Sequence, residues 1–233
     1  MNIRKTSSKT ASRCFTAMLV IGFGLCIPAN MALADDQTDL EQLTAQWWQW
    51  AFSIPKAQNP ITDQDGGSCM IGQRGSIWFL AGNFGGTTTR TCSVPAGTTL
   101  FFPVINQVAF NSPNCGQGPD NISVKDLRKA TADFIDSVSL ADLSVELDSH
   151  PIHDFERVQS DVFAMALPAD NIVLCALAPP VYSPAAIYSP AVDDGYYVKL
   201  DHVKVGPHTL HILAAPFNLD VTYDLTVVKV LHK

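Results

Sequence analysis

Six histidines and several close-set carboxylates are the first residues of this 233-residue chain whose types could do chemistry. His150 and His153 are three apart, and so are His208 and His211. Metal ligands on a strand favour a spacing of two, which puts both side chains on one face; a spacing of three points them apart. No metal site is expected. The run Asp63-Gln64-Asp65-Gly66 resembles the middle of a calcium loop, but Ile61 stands where an earlier ligand belongs and Gly72 where the closing bidentate glutamate belongs. It reads as a polar turn. Asp193 and Asp194 are a carboxylate pair of the kind used in glycoside hydrolysis, yet neighbours on one turn do not face each other across a sugar. The chain has no G-x-S-x-G, no S-x-x-K and no local cysteine-protease signature. The glycines from Gly82 to Gly86 connect strands and do not open a phosphate-binding helix. No catalytic residue and no cofactor follow from these patterns.

Aromatic side chains are the remaining lead. Trp47 and Trp50 fall on the apolar stripe of the first helix and belong to the core, as does Trp78 in an apolar strand; Trp48 lies off the stripe and is expected to be partly exposed. Tyr182 and Tyr188 each begin a Tyr-Ser-Pro-Ala copy inside Pro179 to Asp194, a stretch that reads as a proline-rich loop. A stiff loop holding two rings suits a sugar or an apolar ligand. Tyr182, Tyr188 and Trp48 are therefore the expected ligand-binding residues.

Four features set the setting in which such a site would work. Arg4, Lys5, Lys9 and Arg13 precede an apolar run from Phe15 to Ile27 and the small-residue stretch Ala32-Leu33-Ala34, the order of a cleavable export signal. Residues 1–34 are thus expected to be removed, leaving one domain over 35–233 in the periplasm or outside the cell. The apolar run is too short and too interrupted to span a bilayer, so no membrane span is expected after cleavage. Loss of the four basic residues leaves 11 Lys and Arg against 22 Asp and Glu, so the net charge moves from −7 to −11. Nucleic acid is not an expected partner for so acidic a chain.

Cys14 and Cys26 leave with the signal, and Cys69, Cys92, Cys115 and Cys175 remain. Four cysteines in an oxidising compartment imply two disulfides, for which three pairings exist. The expected pairs are Cys69 with Cys92, across a short hairpin, and Cys115 with Cys175, tying a loop to a core strand.

Positioning these residues falls to a mainly β domain. Leu40, Leu43, Trp47, Trp50, Ala51 and Ile54 repeat at helical spacing, predicting a helix over Asp39 to Ile54 with Thr38 at its cap and Glu41 completing a capping box. A second helix is predicted from Ser123 to Val138, with Leu127, Ala130, Phe134 and Ile135 inward. Strands are expected at 77–81, 89–94 and 100–105, joined by two hairpins, then at 143–147, 152–158, 162–167 and 172–178. Three more follow at 196–200, 208–214 and 221–230. Short strands at regular spacing predict an antiparallel β-sandwich with an N-terminal helix and one inserted helix, with a distorted barrel as the alternative.

Set together, Trp47-Trp48-Gln49-Trp50, Cys69-Met70-Ile71-Gly72-Gln73-Arg74-Gly75, Trp78-Phe79-Leu80-Ala81-Gly82, Val94-Pro95-Ala96-Gly97 running to Phe101-Phe102-Pro103, and Gly206-Pro207-His208-Thr209-Leu210-His211 resemble a group of exported bacterial proteins of unassigned function. The resemblance spans most of the chain after the signal. It implies an envelope or secreted protein and brings no catalytic residues with it. Two function classes stand: a binding or structural module, whose partner would be a glycan or another envelope component, and an exported hydrolase-type enzyme assembled from distant strands. The first is preferred, because no acid, base and nucleophile set is recognisable.

Overall fold

The computed structural model describes residues 29–229 apart from 176 and 178. The expected export signal lies outside the described residues up to 28, and Cys14 and Cys26 lie there with it.

Helix α1 runs from Ala29 to Ser53. It passes through Thr38 without a break, so that residue is not a cap, and the expected cleavage point after Ala34 falls inside the helix. No Pro or Gly interrupts 29–38, which is why the helix extends past the predicted start. Ten strands follow among the described residues: β1 Ile77–Phe79, β2 Gly86–Pro95, β3 Thr99–Phe110, β4 Leu143–Leu147, β5 His150–Pro151, β6 Glu156–Gln159, β7 Phe163–Leu167, β8 Ala186–Leu200, β9 Gly206–Ala214 and β10 Leu219–Val228. A second helix, α2, occupies Val124–Asp136, capped by the Ser123 hydroxyl accepting the Asp126 N–H. Its buried stripe is Leu127, Thr131 and Ile135; Ala130, expected inward, is exposed.

One five-stranded sheet has the order β1-β3-β8-β6, with β7 also paired to β8, and the other is β2-β10-β9-β4-β5. The fold is mainly β, but the expected antiparallel pairing needs correction: β1 runs parallel to β3, and β2 parallel to β10. No hairpins join the first three strands. The chain leaves β1, crosses to the other sheet for β2, and returns to lie beside β1 as β3. A crossover of that kind delivers parallel neighbours.

Residues from both sheets, among them Val94, Phe102, Val104, Val198, Leu210, Ile212 and Tyr223, form one buried cluster. Strict alternation along β10 buries Val221, Tyr223, Leu225 and Val227, as the sequence pattern requires. A second cluster lies where α1 packs on the outer face of the β3–β8 sheet, through Trp47, Trp48, Ala51, Phe101, Met165 and Tyr197. Each large apolar side chain buried there contributes about 1.5–3 kcal/mol. Both expected disulfides are present, with Cα–Cα separations of 5.9 Å for Cys69–Cys92 and 4.6 Å for Cys115–Cys175.

Two further expectations are corrected. The proline-rich stretch is a loop only as far as Ala185; from Ala186 onward it is the first half of β8, which pairs with β7 as far as Ala191 and with β3 from Ala191 on. Conversely, the apolar run from Ile172 forms no strand among the described residues, and its recorded ladder contact is a bridge between Leu174 and Tyr182.

Candidate ligand groove

The site begins with a strand that stops early. β1 pairs with β3 only as far as Phe79 and Phe101, followed by one bond from the Leu80 N–H to the Phe101 carbonyl at 3.1 Å. Beyond it, side chains capture the backbone groups that would have continued the ladder. The Trp47 indole N–H donates to the Leu80 carbonyl at 2.8 Å. The Tyr223 hydroxyl accepts the Ala81 N–H and donates to the Ala81 carbonyl. Arg90, 1% exposed, donates to the carbonyls of Ala81 and Gly82 and through its other nitrogens to those of Asp63 and Ile61. Drawn away in this fashion, the chain leaves the outer edge of β3 past Phe101 without a paired strand among the described residues.

Along that stretch lies an apolar groove of about 600 Å³. Trp48 and Phe52 of α1 form one wall, Val108 and Phe110 of β3 the floor, and Ile172, Leu174 and Tyr182 the opposite wall, with Phe84 and Lys56 at the lip. A smaller cavity of about 290 Å³ adjoins it, sharing Trp48, Phe84 and Gln107, and reaches Phe134 and Phe217. The larger volume lies in the range of ligand pockets. Lys56 donates to the Tyr182 hydroxyl and sits 4.5 Å from the centre of its ring. That contact, above all, holds the ammonium more firmly protonated than usual.

Behind Trp48 is a buried polar network. Its indole N–H donates to Asp193 Oδ1 at 2.6 Å, the Tyr197 hydroxyl donates to Oδ2 at 2.8 Å, and Asn106 donates to the Tyr197 oxygen at 2.9 Å. Asp193 is fully buried, and removal from water drives its carboxyl well above the ordinary carboxylate range despite the opposing pull of Trp48 and Tyr197. Tyr197 is pushed up for the same reason, with the Asp193 charge adding to it. Asp194, equally buried, points to the other face of β8. There Arg157 grips it with two 2.9 Å bonds and Gln159 adds a third. The two carboxylates thus sit mid-strand and face apart, not on a turn as the sequence suggested.

Of the three expected ligand residues, the groove brings together Trp48 and Tyr182. Tyr182 is 46% exposed and presents its ring. Trp48 is buried, contrary to expectation, because its indole N–H reaches Asp193 of β8 and its ring packs edge-on against Trp47 and Phe52; only part of the indole meets the groove. Tyr188 is 5% exposed, donates its hydroxyl to the Pro184 carbonyl and packs edge-on against Phe110. It supports the floor and offers no open ring beside Tyr182, so the paired-tyrosine surface is not formed. Phe52, Lys56, Phe84, Val108, Phe110, Ile172 and Leu174 escaped sequence reasoning. Phe84, at the tip of a glycine turn, was the one with a visible signal: a bulky apolar residue where polar ones are usual.

The remaining polar clusters have local roles. Asp63 accepts the backbone N–H groups of Asp65, Gly66 and Ser68, which makes it the organiser of a turn. His208 pairs with Asp148 at 2.7 Å and His211 with Asp220 at 2.8 Å, from opposite faces of β9. Among the described residues no group of three His, Cys, Asp or Glu side chains is arranged to hold a metal. The two disulfides are consistent with an oxidising, extracytoplasmic setting. No helix among the described residues is long and apolar enough to cross a membrane. The chain matches no protein-family model, no curated protein and no solved structure.

Proposed function

We propose that the protein is an exported binding module, working in the periplasm or outside the cell, and that the groove beside β3 is its ligand site. The observation that carries this reading is the groove itself. Four separate segments, 48–62, Phe84, 107–110 and 172–182, combine into one apolar cavity of about 600 Å³ with the Lys56 cation at its lip. A cavity of that size and lining is the default place for a ligand to bury apolar surface. The two-layer packing of the sheets supplies a rigid frame, and the Cys115–Cys175 disulfide ties down the segment that carries Ile172 to Tyr182.

The first test is binding of the apolar dye 1-anilinonaphthalene-8-sulfonate to the folded protein, with Phe110→Glu as the control. One saturable site in the wild type, weakened at least about tenfold by the buried charge, supports the reading. Absence of saturable binding, or equal binding to both proteins, overturns it. A glycan array run beside it separates the glycan partner from an apolar one.

A further inference from the structure

The groove is bordered by a strand edge, and that edge has unfilled backbone positions. The Asn111 N–H donates to the Pro190 carbonyl on the β8 side at 3.1 Å. Backbone groups alternate along an antiparallel strand, so Gln107 and Ala109 also turn theirs toward β8, and Asn106, Val108 and Phe110 turn theirs away. Among the described residues no backbone group bonds to these three on the outward side. The one recorded partner there is the neighbouring Gln107 side chain, which reaches the Val108 carbonyl at 3.3 Å. Cavity geometry agrees with this reading: Pro103, Val104, Ile105, Asn106 and Gln107 line the smaller cavity consecutively, as residues do when a space abuts a strand from its side and not from one face.

Exposed edges are ordinarily blunted by charge, proline or a covering loop. Here residues 106–110 read Asn-Gln-Val-Ala-Phe, uncharged and free of proline, and they are half-buried inside an apolar cleft. Given that the groove is a binding site, we infer that its occupant is an extended polypeptide segment. The segment adds to β3 as a strand alongside Asn106 to Phe110 and places alternate apolar side chains between Trp48, Phe52 and Leu174. An acyl chain would cover the apolar walls yet leave most of the outward N–H and C=O groups without partners in a space it had just emptied of water. A sugar, whose hydroxyls can meet such groups, would bury its remaining polar rim against Phe52, Val108, Phe110 and Leu174. Each polar group left without a partner costs about 1–3 kcal/mol. An added strand satisfies the edge and the walls at once, the mode by which exposed sheet edges take peptides.

The experiment pans a displayed library of random heptapeptides against the folded full chain, then remakes an enriched peptide with N-methyl groups on one or the other set of alternate amides. The inference expects enriched sequences to alternate apolar and polar residues. One N-methyl set should weaken binding about tenfold or more while the other changes it about twofold or less. Val108→Pro, which removes an outward N–H without touching the β8 ladder, should weaken binding to a similar extent, with near-ultraviolet circular dichroism confirming the fold. If both N-methyl sets bind like the parent peptide, strand addition is wrong although the groove is used. If no peptide enriches while the dye still binds, strand addition is again wrong and the binding-module reading survives. If neither binds, both fall.

Discussion

Asp193 and Asp194 are chemically identical neighbours in β8, equally hidden from solvent, and the structure treats them in opposite ways. Asp194 has a full charge partner in Arg157, and that partnership raises the guanidinium further above its already high range. Removing Arg157 strands a buried carboxylate, so Arg157→Ala should cost about 3–5 kcal/mol in urea unfolding at pH 7. Asp193 has only neutral donors, and burial dominates. Because its folded-state value is raised, the stability it contributes is complete below the unfolded value of about 4 and declines as the pH rises toward the folded one. Asp193→Asn has no such slope. Relative to wild type it should therefore gain stability as the pH rises from about 4 toward the raised folded-state value, by up to about 1.4 kcal/mol per pH unit. Parallel stability curves for the two proteins would show that Asp193 is ionised without penalty. Neither environment was legible in the sequence. The pair looked like a turn because prolines crowd the residues before it, and what overrode that signal was pairing of β8 with strands from distant parts of the chain.

At the scale of elements, the three indoles of α1 act as separate fasteners. Trp47 holds Leu80, Trp50 holds Ile71 at 2.9 Å, and Trp48 holds Asp193. Much of the motif set noted in the sequence is this scaffold. Gly72 lies against the Trp50 ring, where a Cβ would come within 3.1 Å, and Gln73 clamps the backbone of Cys69 and Phe79. Gly66 is tighter still: its φ is +95°, and a Cβ would meet the Thr91 carbonyl oxygen at 2.1 Å. Gly66→Ala should destabilise by more than about 1 kcal/mol, since neither the conformation nor the backbone contact can yield; an unchanged melting temperature would contradict the geometry. The disulfide across 60 residues constrains far more chain, and replacing Cys115 and Cys175 by alanine should cost about 4 kcal/mol by loop-closure entropy. Local signals sufficed where an element is fixed by its own residues: the α2 cap at Ser123, the alternation of β10 and the span of β4 were all readable. The parallel partners of β1 and β2 were not, because register between strands is set by where the chain returns, and no short-range pattern encodes that.

The whole molecule is two mixed sheets with a helix laid across one of them, and its open feature lies where these parts fail to close. Early termination of β1 is built into the core through Arg90 and Tyr223, so the unpaired edge of β3 belongs to the fold itself. Two of the groove's residues, Trp48 and Tyr182, were legible as aromatics worth watching. The others were not, since Phe84, Phe110 and Leu174 look like ordinary core or loop residues until distant segments meet. The central claim is that ligand enters this groove, and the four tryptophans provide an internal test of it. Trp48 lines the groove, whereas Trp50 and Trp78 do not. The decisive measurement is a nuclear magnetic resonance titration of the indole N–H signals with 1-anilinonaphthalene-8-sulfonate. The account predicts that the Trp48 signal shifts progressively to saturation while those of Trp50 and Trp78 stay in place. A Trp48 signal that does not move, or a Trp78 signal that moves in its stead, would contradict it.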